Sequence, residues 1–300
     1  MKLSTLVTSL LLVVSFSAQS AIRKLELELY PQGIPGAIDT SNEGKLFDER
    51  FNDRFITAIS KPSLTLYLPE NKSVDKTVII CPGGGYFGVS SIKEGQEVAE
   101  RFAENGVAAA VLWYRMPNPA TMEIPHEGPL QDLQQAFYRL QQGGEQWQLS
   151  QSKFGVMGFS AGGHLAATGA THFAQPVIDS YDPEVLRPAF QILIYPVISM
   201  QANITHEGSR NLLLGEQPDA ALVTAYSNEL QVTEQTPPAY IVHANDDSVV
   251  VVDNALEYYA ALREQKVAVR MLLLEEGGHG FGMRHQVDWF AGVLDWVKAQ

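Results

Sequence analysis

The sequence predicts an α/β protein in which helices flank a mostly parallel central sheet. Two observations support this fold class. Apolar runs of strand length alternate with segments of helical spacing along most of the chain. Glycine-rich turns follow several of the strand-like runs. No internal repeat, low-complexity tract or long linker interrupts the alternation, so we expect one domain over residues 21–300.

The strand-like runs are mainly apolar and end at glycine, proline or polar residues. They cover residues 63–68, 77–81, 107–114, 153–159, 190–197, 240–243 and 267–274. The helix-like segments carry an apolar stripe, and they cover residues 98–103, 130–147, 161–173, 253–265 and 287–298. The pattern loosens over residues 199–238, where we expect a lid-like insertion that faces substrate, with a surface excursion without a role as the alternative.

Composition and charge exclude several classes of protein. A hydrophobic fraction of 45% in 300 residues is enough for a substantial core and is not typical of a disordered chain. The formal net charge of -13, without a basic cluster, argues against nucleic acid as a partner. The single cysteine, Cys81, excludes an intrachain disulfide, and its place at the end of an apolar run indicates a small buried residue.

The N-terminus has the features of a secretory signal over residues 1–20. Lys2 supplies a positive charge, residues 6–16 are apolar, and small residues at 18–21 resemble a cleavage site. The apolar run is shorter than a typical membrane span, so we expect no integral membrane association after the signal is removed. A secreted chain without a disulfide suits a bacterial periplasm, and we expect a periplasmic or secreted protein.

The motif Gly-x-Ser-x-Gly occurs at Gly158–Gly162, between a strand-like run and an alanine-rich helical segment. A nucleophile elbow requires this context, because the serine must lie in a tight turn with its hydroxyl exposed above the sheet. Ser160 is therefore the candidate nucleophile, and the amide of Ala161 is a candidate donor to an oxyanion. His164 lies one helical turn further on, where a packing or hydrogen-bonding role is expected.

Three successive glycines, Gly83, Gly84 and Gly85, follow the strand at 77–81. Such a loop lets backbone amides approach a substrate, and we expect Gly84 and Gly85 to complete an oxyanion hole. A phosphate-binding loop is disfavoured, because no Lys-Ser or Lys-Thr pair follows the glycines. Tyr86 could line the acyl pocket or only pack against its neighbours.

Glycines flank His279 after the last strong strand, at the sheet edge where α/β proteins place their chemistry. His279 is therefore the candidate general base. Asp246 and Asp247 follow the strand at 240–243, and either could orient the histidine; His243 is expected to be structural. The chain order serine, aspartate, histidine is that of an α/β-hydrolase. No metal-ligand spacing such as His-Glu-x-x-His occurs, and no metal or other cofactor is expected.

Several stretches together resemble the secreted esterases of the acetyl-xylan-esterase-like, carbohydrate-esterase branch of the α/β-hydrolases, which includes esterase domains of the bifunctional xylanase/esterase type. They are residues 81–86, 94–95, 114–115, 130–132, 158–166, 193–200, 227–230, 243–250 and 277–282. Pro82 stands where the hormone-sensitive-lipase-like branch has a histidine, which favours the carbohydrate-esterase side. The resemblance implies Asp247 as the acid, four residues after His243, although Val251 replaces the usual proline.

The resemblance implies a secreted serine esterase that acts through an acyl-enzyme on acetyl esters of carbohydrates, such as acetylated xylan or its oligosaccharides. A generalist short-chain carboxylesterase or lipase-like enzyme with the same triad is the alternative. A prolyl-type peptidase is disfavoured because no large additional domain is evident. A non-catalytic binding protein is disfavoured because Ser160, Asp247 and His279 are all present. The sequence leaves the oligomeric state open.

Overall fold

The computed structural model describes residues 22–50, 53–149, 153–178 and 180–300. The signal predicted over residues 1–20 lies outside the described residues and stays a prediction. Within the described part of the chain, no helix combines the length and the apolar character needed to cross a bilayer.

Strands in the described residues form two sheets. They are β1 (Ile22–Glu28), β2 (Lys45–Arg50), β3 (Asp53–Thr57), β4 (Ser63–Pro69), β5 (Thr77–Cys81), β6 (Gly88–Ser90), β7 (Ala108–Trp113), β8 (Phe154–Phe159), β9 (Gln191–Ile194), β10 (Ala239–Ala244) and β11 (Val269–Leu274). The large sheet has the order β1-β4-β7-β5-β8-β9-β10-β11, and β2-β3-β6 form a small antiparallel sheet. Strands β7, β5, β8, β9, β10 and β11 are mutually parallel, whereas β4 pairs antiparallel with β1 and β7.

Helices cover both faces of the large sheet. The α-helices of the described residues are α1 (Glu97–Glu104), α2 (Gly128–Gln142), α3 (Ser160–Thr171), α4 (Pro183–Leu186), α5 (Glu207–Leu214), α6 (Ala220–Tyr226), α7 (Asp253–Glu264) and α8 (Trp289–Ala299). The apolar residues of α1 and α8 join one core cluster, and those of α2, α3 and α7 join the other. The prediction of an α/β fold with a mostly parallel sheet between helices is confirmed.

The central strands are buried on both faces, which explains their uninterrupted apolar runs. All residues of β5 and β8 are buried, as expected for parallel strands covered by helices. Cys81, at the end of β5, is fully buried, and burial raises the pKa of its thiol. Cys81 is therefore a core residue, as its sequence context indicated.

Two elements end at least three residues earlier in the structure than predicted. Helix α2 ends at Gln142 rather than at residue 147, because the chain turns at Gly143 and Trp147 folds back against it. A Cβ atom on Gly143 would lie 2.1 Å from the Trp147 ring, so only glycine allows this contact. Strand β9 ends at Ile194, because Tyr195 adopts a φ of 37° before Pro196.

The small sheet and strand β1 were not predicted from the sequence. The three strands of the small sheet are short, and none of them carries a continuous apolar run. Over residues 199–238 the structure has α5, α6 and a 3-10 turn at Asn228–Leu230. The division of the chain into a signal and one domain with a lid-like insertion stays a prediction.

Candidate active site

Ser160 lies in the turn between β8 and α3, as the Gly-x-Ser-x-Gly motif predicted. Its φ is 52°, an unfavourable value for a side-chain-bearing residue. The turn is tight because β8 and α3 approach closely: a Cβ atom on Gly158 would lie 2.0 Å from the Gly162 carbonyl oxygen. The sequence therefore folds here into a strained strand–helix junction that fixes the serine side chain.

His279 connects the serine to an aspartate. Its Nε2 lies 2.8 Å from Ser160 Oγ, and its Nδ1 lies 2.7 Å from Asp247 Oδ2. Because a carboxylate only accepts, Nδ1–H donates to Asp247, and Nε2 is left to accept the serine proton. The structure thus brings together the three side chains that the sequence analysis selected as nucleophile, base and acid.

The two candidate acids occupy different positions. Asp247 has a buried side chain, whereas Asp246 is exposed and accepts a hydrogen bond from the Gly278 amide over 2.8 Å. Burial alone raises the pKa of Asp247, but hydrogen bonds from His243 and His279 outweigh that effect and hold the pKa well below its usual range. Asp247 is therefore ionised and faces the histidine.

Further donors fix the Asp247 carboxylate. Oδ1 accepts the amides of Val249 and Val250, each over 2.9 Å. His243 Nε2 lies 3.2 Å from Oδ2 and 2.8 Å from the Val250 carbonyl oxygen. His243 is buried near the end of β10, where the sequence analysis expected a structural histidine, and the structure adds its contact with the acid.

The glycine loop after β5 lies beside Ser160. The Gly84 carbonyl accepts the amides of Phe87 and Gly88, which folds the loop into a tight turn. Within the described residues, the amides of Gly84 and Gly85 donate to no protein acceptor, and both glycines line the cavity that contains Ser160 and His279. The Ala161 amide lies in the first turn of α3, where helix amides lack intrahelical acceptors. Their assignment as an oxyanion hole stays a prediction.

Tyr86 packs away from this cavity. Its side chain is buried, and its hydroxyl donates to His164 Nδ1 over 2.8 Å. It lines a neighbouring cavity, whereas Phe87, the next residue, lines both. Of the two roles left open for Tyr86, the structure therefore favours packing, and Phe87 is one of the aromatic residues in the wall of the cavity at Ser160.

His164 is a buried core residue. Its Nε2–H donates to the Tyr226 carbonyl oxygen over 2.8 Å, while Nδ1 accepts from Tyr86. Burial lowers the pKa of His164 to about 4. It is therefore neutral at pH 7 and holds α3 against the turn that carries Tyr86.

The cavity at Ser160 has a volume of about 400 Å³. Apolar and polar side chains share its wall with the glycine loop; they are Asp53, Phe55, Phe87, Ser90, Lys93, Glu94, His206, Leu212 and Val249. Sequence reasoning missed Phe55, which lies on the unpredicted strand β3. Glu94 entered the sequence analysis only within a stretch that carries the family resemblance, which was the one signal for it.

Comparisons with known proteins agree with this fold. The family model BD-FAE matches residues 64–262. An acetylxylan esterase of Xylanibacter ruminicola is 35% identical over 247 residues, which cover 80% of this chain and 48% of that protein. Endo-1,4-beta-xylanase B of Butyrivibrio fibrisolvens is 34% identical over 236 residues, which cover 77% of this chain and 36% of that protein. The chain thus spans about half of the first relative and about a third of the second.

A solved structure extends the comparison to three dimensions. The acetyl ester-xyloside bifunctional hydrolase from Caldicellulosiruptor lactoaceticus is 33% identical, with a TM-score of 0.70 over 80% of this chain and 86% of that one. Fold and site together define an α/β-hydrolase. The chain belongs to the BD-FAE family, and the predicted resemblance to acetylxylan-esterase-like proteins is confirmed.

Proposed function

We propose that this chain is a carboxylic-ester hydrolase with Ser160 as nucleophile, His279 as general base and Asp247 as the acid that orients the base. One observation carries the proposal. The hydrogen bonds of 2.8 Å and 2.7 Å connect Ser160, His279 and Asp247 beside a cavity lined by Gly84 and Gly85. With Nδ1–H donated to Asp247, His279 Nε2 is placed to accept the serine proton, as the first proton transfer requires.

The proposed reaction has two steps. As Ser160 Oγ attacks the ester carbonyl carbon, its proton moves to His279 Nε2, and the carbonyl oxygen becomes an oxyanion. The amides of Gly84, Gly85 and Ala161 donate to that oxygen. When the carbon–oxygen ester bond breaks, His279 returns the proton to the alcohol oxygen and leaves an acyl-enzyme. Water then attacks the acyl carbon, with the same proton transfers, and releases the acid and Ser160.

The proposed substrates are acetyl esters of carbohydrates, such as acetylated xylan or its oligosaccharides. Two relatives support this choice by their names, acetylxylan esterase and acetyl ester-xyloside bifunctional hydrolase. A cavity of about 400 Å³ holds a small acyl group together with part of its alcohol. The N-terminal features at residues 1–20 further suggest a periplasmic or secreted enzyme, which suits a polymer-derived substrate.

A generalist short-chain carboxylesterase is the second candidate. The observation that favours it is the apolar wall of the cavity, to which Phe55, Phe87, Leu212 and Val249 contribute. Such side chains bind a longer acyl or aryl group without specific hydrogen bonds.

The two candidates differ in their preferred ester. The test is acetate release from acetylated xylo-oligosaccharides, beside hydrolysis of 4-nitrophenyl acetate and 4-nitrophenyl octanoate, each with wild type and Ser160→Ala. A carbohydrate esterase releases acetate from the oligosaccharides with the higher kcat/KM and loses that activity in the variant. Hydrolysis of aryl esters alone contradicts the carbohydrate assignment and favours the generalist.

A further inference from the structure

Glu94 is a buried carboxylate next to the triad. It lies on a single π-helical turn, Ile92–Gln96, and only 3% of its surface is exposed. Among the described residues it forms no ion pair within 4.0 Å. A buried carboxylate without a cationic partner is unfavourable unless hydrogen bonds replace its water. Its two hydrogen bonds therefore indicate what it does.

One Glu94 oxygen holds the glycine loop. Oε2 accepts the Gly83 amide over 2.8 Å, directly before the two glycines assigned to the oxyanion hole. Gly83 is wedged between Glu94 and the nucleophile turn: a Cβ atom there would lie 2.8 Å from Glu94 Oε2 and 2.9 Å from Ser160 Cβ. The position of the loop relative to Ser160 thus depends on this carboxylate.

The other oxygen holds the loop that carries His279, residues 277–282, through Tyr195. Oε1 accepts the Tyr195 hydroxyl proton over 2.8 Å, and the hydroxyl oxygen accepts the Gly282 amide over 2.9 Å. The Tyr195 ring also packs edge-on against the His279 ring, with centroids 5.0 Å apart. The φ of 37° at Tyr195 aims this side chain after β9 ends. Tyr195 therefore connects Glu94 to the base, because it binds Glu94 and also contacts Gly282 and the His279 ring.

We propose that Glu94 is a positioning residue that sets the distance between the oxyanion amides and His279, acting through Gly83 on one side and Tyr195 on the other. This inference rests on the proposed esterase function. The carboxylate accepts the Gly83 amide directly and reaches the Gly282 amide through the Tyr195 hydroxyl, so the two loops cannot move apart without breaking one of these three hydrogen bonds. A displacement of about 1 Å at such a site costs on the order of a hundredfold in rate.

A carboxylate suits this role better than an amide of the same shape. In a Glu94→Gln variant, the amide oxygen can still accept the Gly83 N–H. The amide nitrogen would then face Tyr195, whose oxygen already accepts from Gly282 and whose proton would lose its acceptor. The substitution keeps the volume and breaks the connection between the loops.

The test uses Glu94→Gln and Tyr195→Phe, with Glu97→Gln as matched control. Glu97 lies three residues further on, and its half-buried side chain pairs with Arg284. We expect Glu94→Gln and Tyr195→Phe each to lower kcat on 4-nitrophenyl acetate about tenfold to a hundredfold, with KM changed less than about twofold. The double variant is expected to lose little more than either single one, because both break the same connection. The control keeps wild-type kcat.

Urea unfolding and circular dichroism show which variants are folded. Should Glu94→Gln not fold, Tyr195→Phe decides alone, since it removes one hydroxyl and keeps the ring. Wild-type kcat in a folded variant, a loss confined to KM, or additive losses in the double variant would each overturn the positioning role. Failure of the esterase function is distinguishable, because wild type itself would then show no activity that Ser160→Ala removes.

Discussion

Asp247 is the residue on which the orientation of His279 depends. The carboxylate accepts hydrogen bonds from the His279 imidazole and from two backbone amides, and His243 contacts it as well. Its oxygens therefore cannot rotate freely. Asp246 adjoins it but contacts the loop of the base through backbone amides, those of Gly278 and Gly277, and not through the imidazole. Of these two adjacent aspartates, Asp247 thus contacts the base directly and Asp246 contacts only its loop.

Asp247→Asn is expected to lower kcat by about 10⁴. The carboxamide would present its NH₂ group to imidazole nitrogens that now donate to a carboxylate, which favours the wrong histidine tautomer. Asp246→Asn, the matched control, is expected to lower kcat less than about tenfold, because the Gly278 amide can still find an oxygen. The measurement is kcat on 4-nitrophenyl acetate for both variants; equal losses would mean that Asp247 is not the acid.

Sequence reasoning could select single residues where local context restricts their chemistry. Ser160 stands in a motif between a strand and a helix, and glycines surround His279. The choice between Asp246 and Asp247 came from the family resemblance. The sequence does not show which of two adjacent carboxylates points toward the histidine. Glu94 was not selected, because its role depends on contacts with Gly83, Tyr195 and, through the tyrosine, Gly282, which are distant in sequence.

At the scale of elements, helix α3 carries the nucleophile and is anchored by a neutral histidine. His164 is fully buried between Tyr86 and the Tyr226 carbonyl, so α3, the glycine loop and the end of α6 meet at one imidazole. Burial lowers its pKa from 6.5 to about 4. The His164 imidazole therefore stays neutral in the folded state at pH values where it is protonated in the unfolded chain.

This anchor predicts a pH dependence of stability. The contribution of His164 is fully present above pH 6.5 and is lost as pH falls toward 4. A shift of this size corresponds to about 3 kcal/mol of unfolding free energy. Urea unfolding of wild type and His164→Gln at pH 7, 5.5 and 4 measures it. Between pH 7 and pH 4 we expect the wild type to lose up to about 3 kcal/mol more unfolding free energy than the variant. Equal losses in the two proteins would contradict the contribution assigned to His164.

Elements were predictable where burial on both sides produces a continuous apolar run, as in β5, β8 and β10. Strand β1 was missed because it lies at the edge of the sheet and alternates apolar with charged residues. Helix α2 was predicted too long because the apolar Trp147 continues its stripe, while the contact that turns the chain at Gly143 is tertiary.

At the scale of the whole molecule, one buried ion pair joins three separate parts of the chain. Arg115 follows β7 and pairs with Asp132 of α2 over 2.8 Å, and both side chains are almost fully buried. The guanidinium also donates to the Pro35 carbonyl, and Asp132 accepts the Tyr30 hydroxyl. The N-terminal segment is thereby fixed to the central layers.

Asp132→Asn is expected to lower the unfolding free energy by about 3 to 5 kcal/mol, because it leaves the Arg115 charge buried without its counter-ion. Glu43→Gln, which removes an exposed pair with Lys61, should leave the unfolding free energy nearly unchanged, because solvent screens that pair. Urea unfolding of both variants at pH 7 makes the comparison. A loss below 1 kcal/mol for Asp132→Asn would show that the pair does not hold these segments together.

The assignment of Ser160 as the nucleophile is tested most directly by the turnover of 4-nitrophenyl acetate by wild type and by Ser160→Ala. We expect the variant to stay folded and to lose kcat by on the order of a millionfold, since Ser160, His279 and Asp247 act as one unit. A folded Ser160→Ala variant that keeps most of the wild-type kcat would contradict the assignment of Ser160 as the nucleophile.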